Sequence, residues 1–66
     1  MRLLINGEVQ EMPNGISLGE LLQHLRLSHS GVVVERNGDI VPREALSTLS
    51  LTEGDRLEIV RLVGGG

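Results

Sequence analysis

The fold is decided by the stretch GVVVERNGDIVP, residues 31–42. Its run of three valines favours a strand from Gly31 to Arg36, because β-branched side chains pack well on a pleated surface. Asn37-Gly38 follows, and this dipeptide is typical of a two-residue hairpin turn, in which both central positions need a positive φ. The return strand, residues 39–41, stops at Pro42, which cannot donate to a β-ladder. We therefore expect a β-hairpin with a short second arm.

Another hairpin is expected in residues 1–12, with its turn at Asn6-Gly7. A two-residue loop places Leu4 opposite Val9 and turns the side chains of Leu3 and Ile5 to the other face. We assign the face of Leu3 and Ile5 to the core. Leu4 and Val9 then lie on the outer face of the sheet.

A helix is expected between the two hairpins. Ser17 and Glu20 have the spacing of a capping box, and four leucines follow at i, i+3, i+4 and i+7, at positions 18, 21, 22 and 25. This spacing predicts one apolar helix face that packs on the sheet. Gly19, in the first turn, is expected to allow a close approach to the sheet.

The last strand is expected at Arg56–Val63, with Leu57 and Ile59 facing inward and Val60 outward. The predicted order is hairpin, helix, hairpin, connector and strand. This order indicates the α+β class, with a mixed sheet of about five strands covered on one face by a single helix. We assign residues 1–63 to this one domain and residues 64–66 to a flexible glycine tail.

The tail consists of Gly64, Gly65 and Gly66, directly after the last strand. Glycine is conformationally free and has no side chain, so such a tail could enter a narrow slot of another protein. The functional interpretation is an α-carboxylate on Gly66 that is presented for activation. The alternative is a frayed end without a role.

The composition argues against several other functions. The 66 residues include no cysteine and no aromatic residue, the net charge is −3, and all six basic residues are arginine. Thiol chemistry, lysine Schiff bases and base stacking on nucleic acid are therefore not expected. His24 and His29 share no carboxylate or cysteine cluster, so we expect no metal site. The five serines have no matching His and carboxylate partners, so we expect no catalytic residues either. We expect no membrane partner and a cytoplasmic location.

Several segments together resemble a known family. They are the opening strand with its asparagine turn, the segment NGDIVPRE at residues 37–44, Gly54-Asp55 before the last strand, and Gly65-Gly66. The chain resembles the ubiquitin-like β-grasp proteins and, among them, the sulfur carriers of thiamin biosynthesis, the ThiS family. Two alternatives stay open: a carrier like the small subunit of molybdopterin synthase, and a non-catalytic β-grasp binding module.

The resemblance implies a carrier that is a co-substrate and not an enzyme. An E1-like activating enzyme of the ThiF type would adenylate Gly66, using ATP bound in its own site, so that the chain itself holds no cofactor. A persulfide donor would then form a thiocarboxylate, and thiazole synthase would receive the sulfur. Gly64 and Gly65 would thread into the partner's site. Leu4, Val9 and Val60, predicted on the outer face, are candidates for the partner-binding patch.

Overall fold

The computed structural model describes residues 1–62, and residues 63–66 lie outside the described part. Five strands and one α-helix are present in it, together with two 3₁₀ turns. The strands are β1 (Arg2–Ile5), β2 (Glu8–Glu11), β3 (Val32–Arg36), β4 (Asp39–Ile40) and β5 (Arg56–Arg61), the helix is α1 (Leu18–His24), and the 3₁₀ turns are His29–Gly31 and Arg43–Ala45. The expected α+β class, with one helix and five strands, is confirmed.

The strands form one mixed sheet in the order β2-β1-β5-β3-β4. β1 and β5 run parallel, and the other neighbouring strands run antiparallel. The last strand in the chain is therefore the central strand of the sheet. Its position gives it backbone partners on both sides, which fixes its course as far as the end of the described part.

Both predicted hairpins are confirmed. Leu4 lies opposite Val9 in the first hairpin, as the two-residue loop requires. Asn6 and Asn37 have φ values of 50° and 52°, and the glycine after each also has a positive φ. The turn chemistry therefore matches the prediction at both places. The strands are shorter than predicted by a residue at several ends, and Gly31 belongs to a 3₁₀ turn instead of β3.

The capping box at the start of α1 is confirmed. The Ser17 hydroxyl accepts from the Glu20 backbone N–H at 3.1 Å, and the Glu20 carboxylate accepts from the Ser17 N–H at 2.9 Å. Leu18, Leu21 and Leu22 are fully buried, and Leu25 is partly buried at the helix end. The helix therefore packs its leucine face on the sheet, as the spacing predicts.

The prediction that Gly19 allows a close approach to the sheet is wrong. A Cβ atom on Gly19 would lie 2.5 Å from the backbone oxygen of Ser47, in the connector after the second 3₁₀ turn. Gly19 therefore permits a close approach to the connector, not to the sheet. The same connector is tied to the helix entrance by the hydrogen bond from Leu18 N–H to the Leu49 carbonyl, 2.7 Å long.

The core lies between the helix and the inner face of the sheet, and its buried members are all aliphatic. Leu3, Ile5, Leu57 and Ile59 are buried, which confirms the assignment of faces in β1 and β5. The other buried apolar residues are Met12, Ile16, Leu18, Leu21, Leu22, Val32, Val34, Val41, Leu46 and Leu51. The opposite face of the sheet has no helix on it within residues 1–62.

Candidate carboxyl-terminal site and outer sheet face

The predicted modification site, Gly66, and the threading residues Gly64 and Gly65 lie outside the described residues, so they stay predictions. The structure does describe the strand that leads to them. β5 ends at Arg61, and the backbone N–H of Leu62 still donates to the Gly31 carbonyl at 2.9 Å. The chain is therefore held by the sheet up to the residue before Val63.

The turn residue Asn6 fixes β5 through its side chain. Its Oδ1 accepts from the Ile59 backbone N–H at 2.7 Å, and its Nδ2 donates to the Ile59 carbonyl at 3.2 Å. The side-chain amide of Asn6 thus bonds both backbone groups of Ile59, as the backbone of a neighbouring strand would. This bond pair extends the β1–β5 contact beyond the two backbone pairs that the strands share, Leu4–Arg56 and Ile5–Leu57.

The other turn residue, Asn37, fixes the start of β5. Its Oδ1 accepts from the Arg56 backbone N–H at 2.9 Å, and its own N–H donates to the Arg56 carbonyl at 2.8 Å. Its Nδ2 donates to the Asp55 carboxylate at 3.1 Å. Each hairpin turn therefore supplies one asparagine amide to the central strand.

Asp55 is the buried charged residue of the described part, at 5% exposure. Its Oδ2 accepts from Arg36 Nε at 3.0 Å and from the Thr52 N–H at 2.9 Å, and its Oδ1 accepts from Asn37 Nδ2 and the Thr52 hydroxyl, each at 3.1 Å. Burial alone raises the pKa of this carboxyl. The hydrogen bonds outweigh burial, led by that from the Thr52 backbone, and the pKa of Asp55 lies below the usual value for aspartate.

The outer face of the sheet carries the three residues predicted as a partner patch, but in two places. Val9 is 65% exposed, and Leu4, beside it, is partly buried. Val60 is 58% exposed and lies opposite Val33 on β3. Because Leu4 is level with Arg56 on β5, Val60 lies four residues, or about 13 Å, farther along the strand. The three residues therefore do not form one cluster.

Val60 has two other apolar neighbours on the same face, which the sequence analysis did not include. Val33 is its cross-strand partner, and Leu62, two residues on, is 49% exposed. We call Val33, Val60 and Leu62 the tail-side patch. Alternation along β5 could have placed Leu62 there from the sequence, but Val33 required knowledge of the strand pairing.

The described residues hold no other evident site chemistry. His24 and His29 are both exposed, and residues 1–62 contain no group of three metal-binding side chains. In the same part of the chain, no helix has the length and apolar character needed to cross a membrane. The features left for a function are the tail-side patch and the glycine run that follows it.

Comparisons with known proteins agree on one family. The family model described as "ThiS family" matches residues 3–66. The sulfur carrier protein ThiS of Bacillus subtilis is 35% identical over 65 residues, which are 97% of this chain and 98% of that protein. The crystal structure of a thiamine biosynthesis protein, ThiS, from Geobacter metallireducens superimposes with a TM-score of 0.82 at 32% identity and covers all of both chains. The β-grasp fold implied by the resemblance is thereby confirmed.

Longer proteins also contain a similar segment. A thiazole synthase of Paramagnetospirillum magneticum is 39% identical to the whole of this chain over 66 residues. The chain spans only 20% of the length of that protein. The similarity to the synthase is therefore confined to a segment of the size of one small domain.

Proposed function

Because the chain belongs to the ThiS family, we propose that it is a sulfur carrier of thiamin biosynthesis, activated at the α-carboxylate of Gly66. The observation that carries the proposal is the extent of the family match, which runs through the glycine run to residue 66. The fold supports it, because the central strand leads directly into these glycines.

The proposed chemistry takes place on partner enzymes. A carboxylate at neutral pH is a poor electrophile, since its reference pKa is about 3.5 and it is ionised. An E1-like enzyme of the ThiF type therefore adenylates Gly66 with ATP. The terminal sulfur of a persulfide donor displaces AMP from the acyl-adenylate and gives an acyl disulfide. A thiol then attacks the S–S bond, which releases the thiocarboxylate and leaves a disulfide on the donor side. The chain is a co-substrate in this scheme, and Gly64 and Gly65 pass through a slot without side-chain bulk.

We propose thiazole synthase as the recipient of the sulfur. The similarity between this chain and a segment of the Paramagnetospirillum thiazole synthase supports this assignment, because fusion places a carrier-like domain beside a synthase permanently. A carrier domain that is not joined to its synthase needs a docking surface. The tail-side patch has the position for it, since Leu62 directly precedes the last four residues.

The experiment that tests the proposal is an activation assay with the adenylating enzyme encoded in the same genome. With ATP, the carrier should gain an adenylyl group, which is the mass of AMP less one water, and pyrophosphate should be released. With a persulfide donor and a thiol reductant added, one oxygen at Gly66 should be replaced by sulfur, visible by intact mass spectrometry. Transfer is then measured to a thiazole synthase and to a molybdopterin synthase. Transfer to the latter alone would favour the other carrier type, and persistent lack of activation would favour a binding module.

Two tail variants locate the site. Deletion of Gly65 and Gly66 leaves a carboxylate that is recessed by about 7 Å, so activation should be lost. Gly65→Val restores the reach but adds bulk and restricts the backbone, and it should also fail. The free energy of unfolding of both variants, measured by thermal melts, should lie within about 0.5 kcal/mol of that of the original domain. A truncated chain that is activated at the original rate would show that the tail is not the site.

The docking surface has a matched pair of variants. Val60→Arg places a charge in the tail-side patch, whereas Val9→Arg places the same charge at a similarly exposed position on the same face, about 13 Å back along the strand direction and two strands away. We expect Val60→Arg to raise the KM for the carrier about tenfold, as the loss of an interface anchor does, and Val9→Arg to leave it nearly unchanged. Equal effects of the two would contradict the assignment of the patch.

A further inference from the structure

Two glutamates lie directly opposite each other on the outer face of the sheet. Glu35 on β3 is in register with Glu58 on β5, and both are exposed. Neither carboxylate forms a hydrogen bond or an ion pair with another residue of the described range 1–62. The ion pair in that range joins Arg36 and Asp55. Like charges in directly opposed positions destabilise a sheet. The free domain therefore carries a repulsive pair between its central strand and β3.

The pair borders a shallow depression of about 240 Å³ between the two hairpin turns. The turn glycines Gly7 and Gly38 line it, and a Cβ on either would meet nothing within 4 Å, so its rim is open. Arg56 lines it as well. The volume is below the roughly 300–1,000 Å³ of small-molecule sites. The depression fits a single side chain of another protein better than a free ligand.

The pair is continuous with the tail-side patch. Glu58 is two residues before Val60 on β5, and Glu35 is two residues after Val33 on β3. The two rows are thus about 7 Å apart on one face. A protein that covers the patch also covers the carboxylates. Arg56 lines the same depression but carries only one positive charge, so burying the two carboxylates is costly unless a further cation meets them.

On the basis of the proposed function, we propose that Glu35 and Glu58 receive an arginine of the adenylating enzyme when that enzyme covers the tail-side patch. A guanidinium is planar and always charged, and its several N–H donors can reach two carboxylates at once. Its arrival replaces the repulsion of the free carrier with two charge-assisted contacts. The pair thus selects a partner whose apolar docking surface carries an arginine next to the tail slot.

The test compares two double variants with the same change of charge. Glu35→Gln with Glu58→Gln removes the pair, and Glu8→Gln with Glu44→Gln removes two exposed carboxylates elsewhere. Adenylation is measured at low and high salt with the enzyme encoded in the same genome. The first variant should raise the KM for the carrier about tenfold at low salt with kcat unchanged. The control should change the KM less than twofold, as distant exposed charges are screened.

Two further readouts separate binding from folding. The KM of the original carrier should rise with salt, and that of the Glu35/Glu58 variant should hardly respond. The same variant should melt at the same temperature as the original domain or higher, because it removes a repulsion. A loss of thermal stability would show that the pair supports the fold, and it would overturn the inference.

The kinetic outcomes are also distinct. Normal activation of the original carrier, with an unchanged KM for the Glu35/Glu58 variant, overturns the inference and leaves the proposed function intact. An equal rise of the KM in both double variants would assign the effect to the overall charge of the carrier, and this result would also overturn the inference. Failure of the original carrier to be activated overturns the proposed function and, with it, the inference.

Discussion

Replacing Asp55 by asparagine is expected to lower the free energy of unfolding by about 2–3 kcal/mol. The change keeps the shape of the side chain, so no cavity forms. Each carboxylate oxygen accepts two hydrogen bonds, and one oxygen becomes an NH₂ group that can only donate. In either orientation of the amide, two donors lose their acceptor. A buried donor left unsatisfied costs about 1–3 kcal/mol, and the lower end applies to these part-buried groups.

The cheaper orientation can be identified from the partners. With the NH₂ at the Oδ2 position, it faces Arg36 Nε and the Thr52 N–H, which cannot accept. At the Oδ1 position it faces the Thr52 hydroxyl, which can rotate and accept, and the Asn37 amide. That amide cannot turn over without removing the acceptor of the Arg56 N–H. In this orientation the Asn37 amide stays unsatisfied and the negative charge of Asp55 is lost. The expected loss is therefore in the lower part of the range of about 2–3 kcal/mol.

The loss is large for this domain. At about 0.05–0.15 kcal/mol per residue, 66 residues give a total stability of roughly 3–10 kcal/mol. A change of 2–3 kcal/mol should lower Tm by about 10–20 °C. The chain has no aromatic residue, so urea and thermal unfolding are followed by far-ultraviolet circular dichroism and not by fluorescence.

The control is Asp39→Asn, which removes the same charge from an exposed position. It should stay within about 0.5 kcal/mol of the original domain. The m-value should be unchanged in both variants, because both folds expose the same surface when they unfold. Equal stability of the Asp55 and Asp39 variants would refute the account of the buried carboxylate.

The effect of Asp55 should depend on pH in a defined direction. Its pKa is lower in the folded domain than in the unfolded chain, where aspartate titrates near 3.9. The unfolded state therefore takes up the proton first, and the stabilisation is present above this value and is lost as pH falls through the folded pKa. The stability difference between the original domain and Asp55→Asn should shrink in acid, and a difference that grew there would contradict the sign.

Two further predictions concern backbone geometry. Gly19→Ala should destabilise the domain by more than 1 kcal/mol although alanine favours helices, because the new Cβ would lie 2.5 Å from the Ser47 oxygen, while Gln23→Ala on the exposed side of the helix should be nearly neutral. Asn6→Gly keeps a residue that accepts positive φ but removes both amide bonds to Ile59, so urea unfolding should show a loss of about 1–2 kcal/mol. Stabilisation by either change would contradict the geometry described.

Local chemistry made much of the fold predictable. The turns at Asn6-Gly7 and Asn37-Gly38 and the capping box at Ser17 each depend on residues within a few positions of one another. Alternation then assigned Ile59 and Val60 to opposite faces correctly. These features need no knowledge of the rest of the chain.

Long-range features were not predictable in the same way. The parallel pairing of β1 with β5 joins residues about fifty positions apart, and no short motif encodes it. The hydrogen bonds of Asp55 were not predictable from its neighbours in sequence, because its partners Arg36 and Asn37 lie in the second hairpin, 19 and 18 positions earlier. The candidate patch split for the same reason: Val60 belongs with Val33, and only the β3–β5 register brings them together.

The parallel pairing of β1 and β5 has a consequence for the activated end that we propose. Leu4 is level with Arg56, so Met1 and Leu62 lie at opposite poles of the sheet, nine residue steps or about 30 Å apart. The four residues after Leu62 reach at most about 14 Å. The Met1 ammonium, which donates to the Met12 carbonyl, is the one primary amine of a sequence without lysine. In the activation that we propose, an acyl-adenylate on Gly66 would lie out of reach of the Met1 amine, so head-to-tail cyclisation between these two residues would not discharge it.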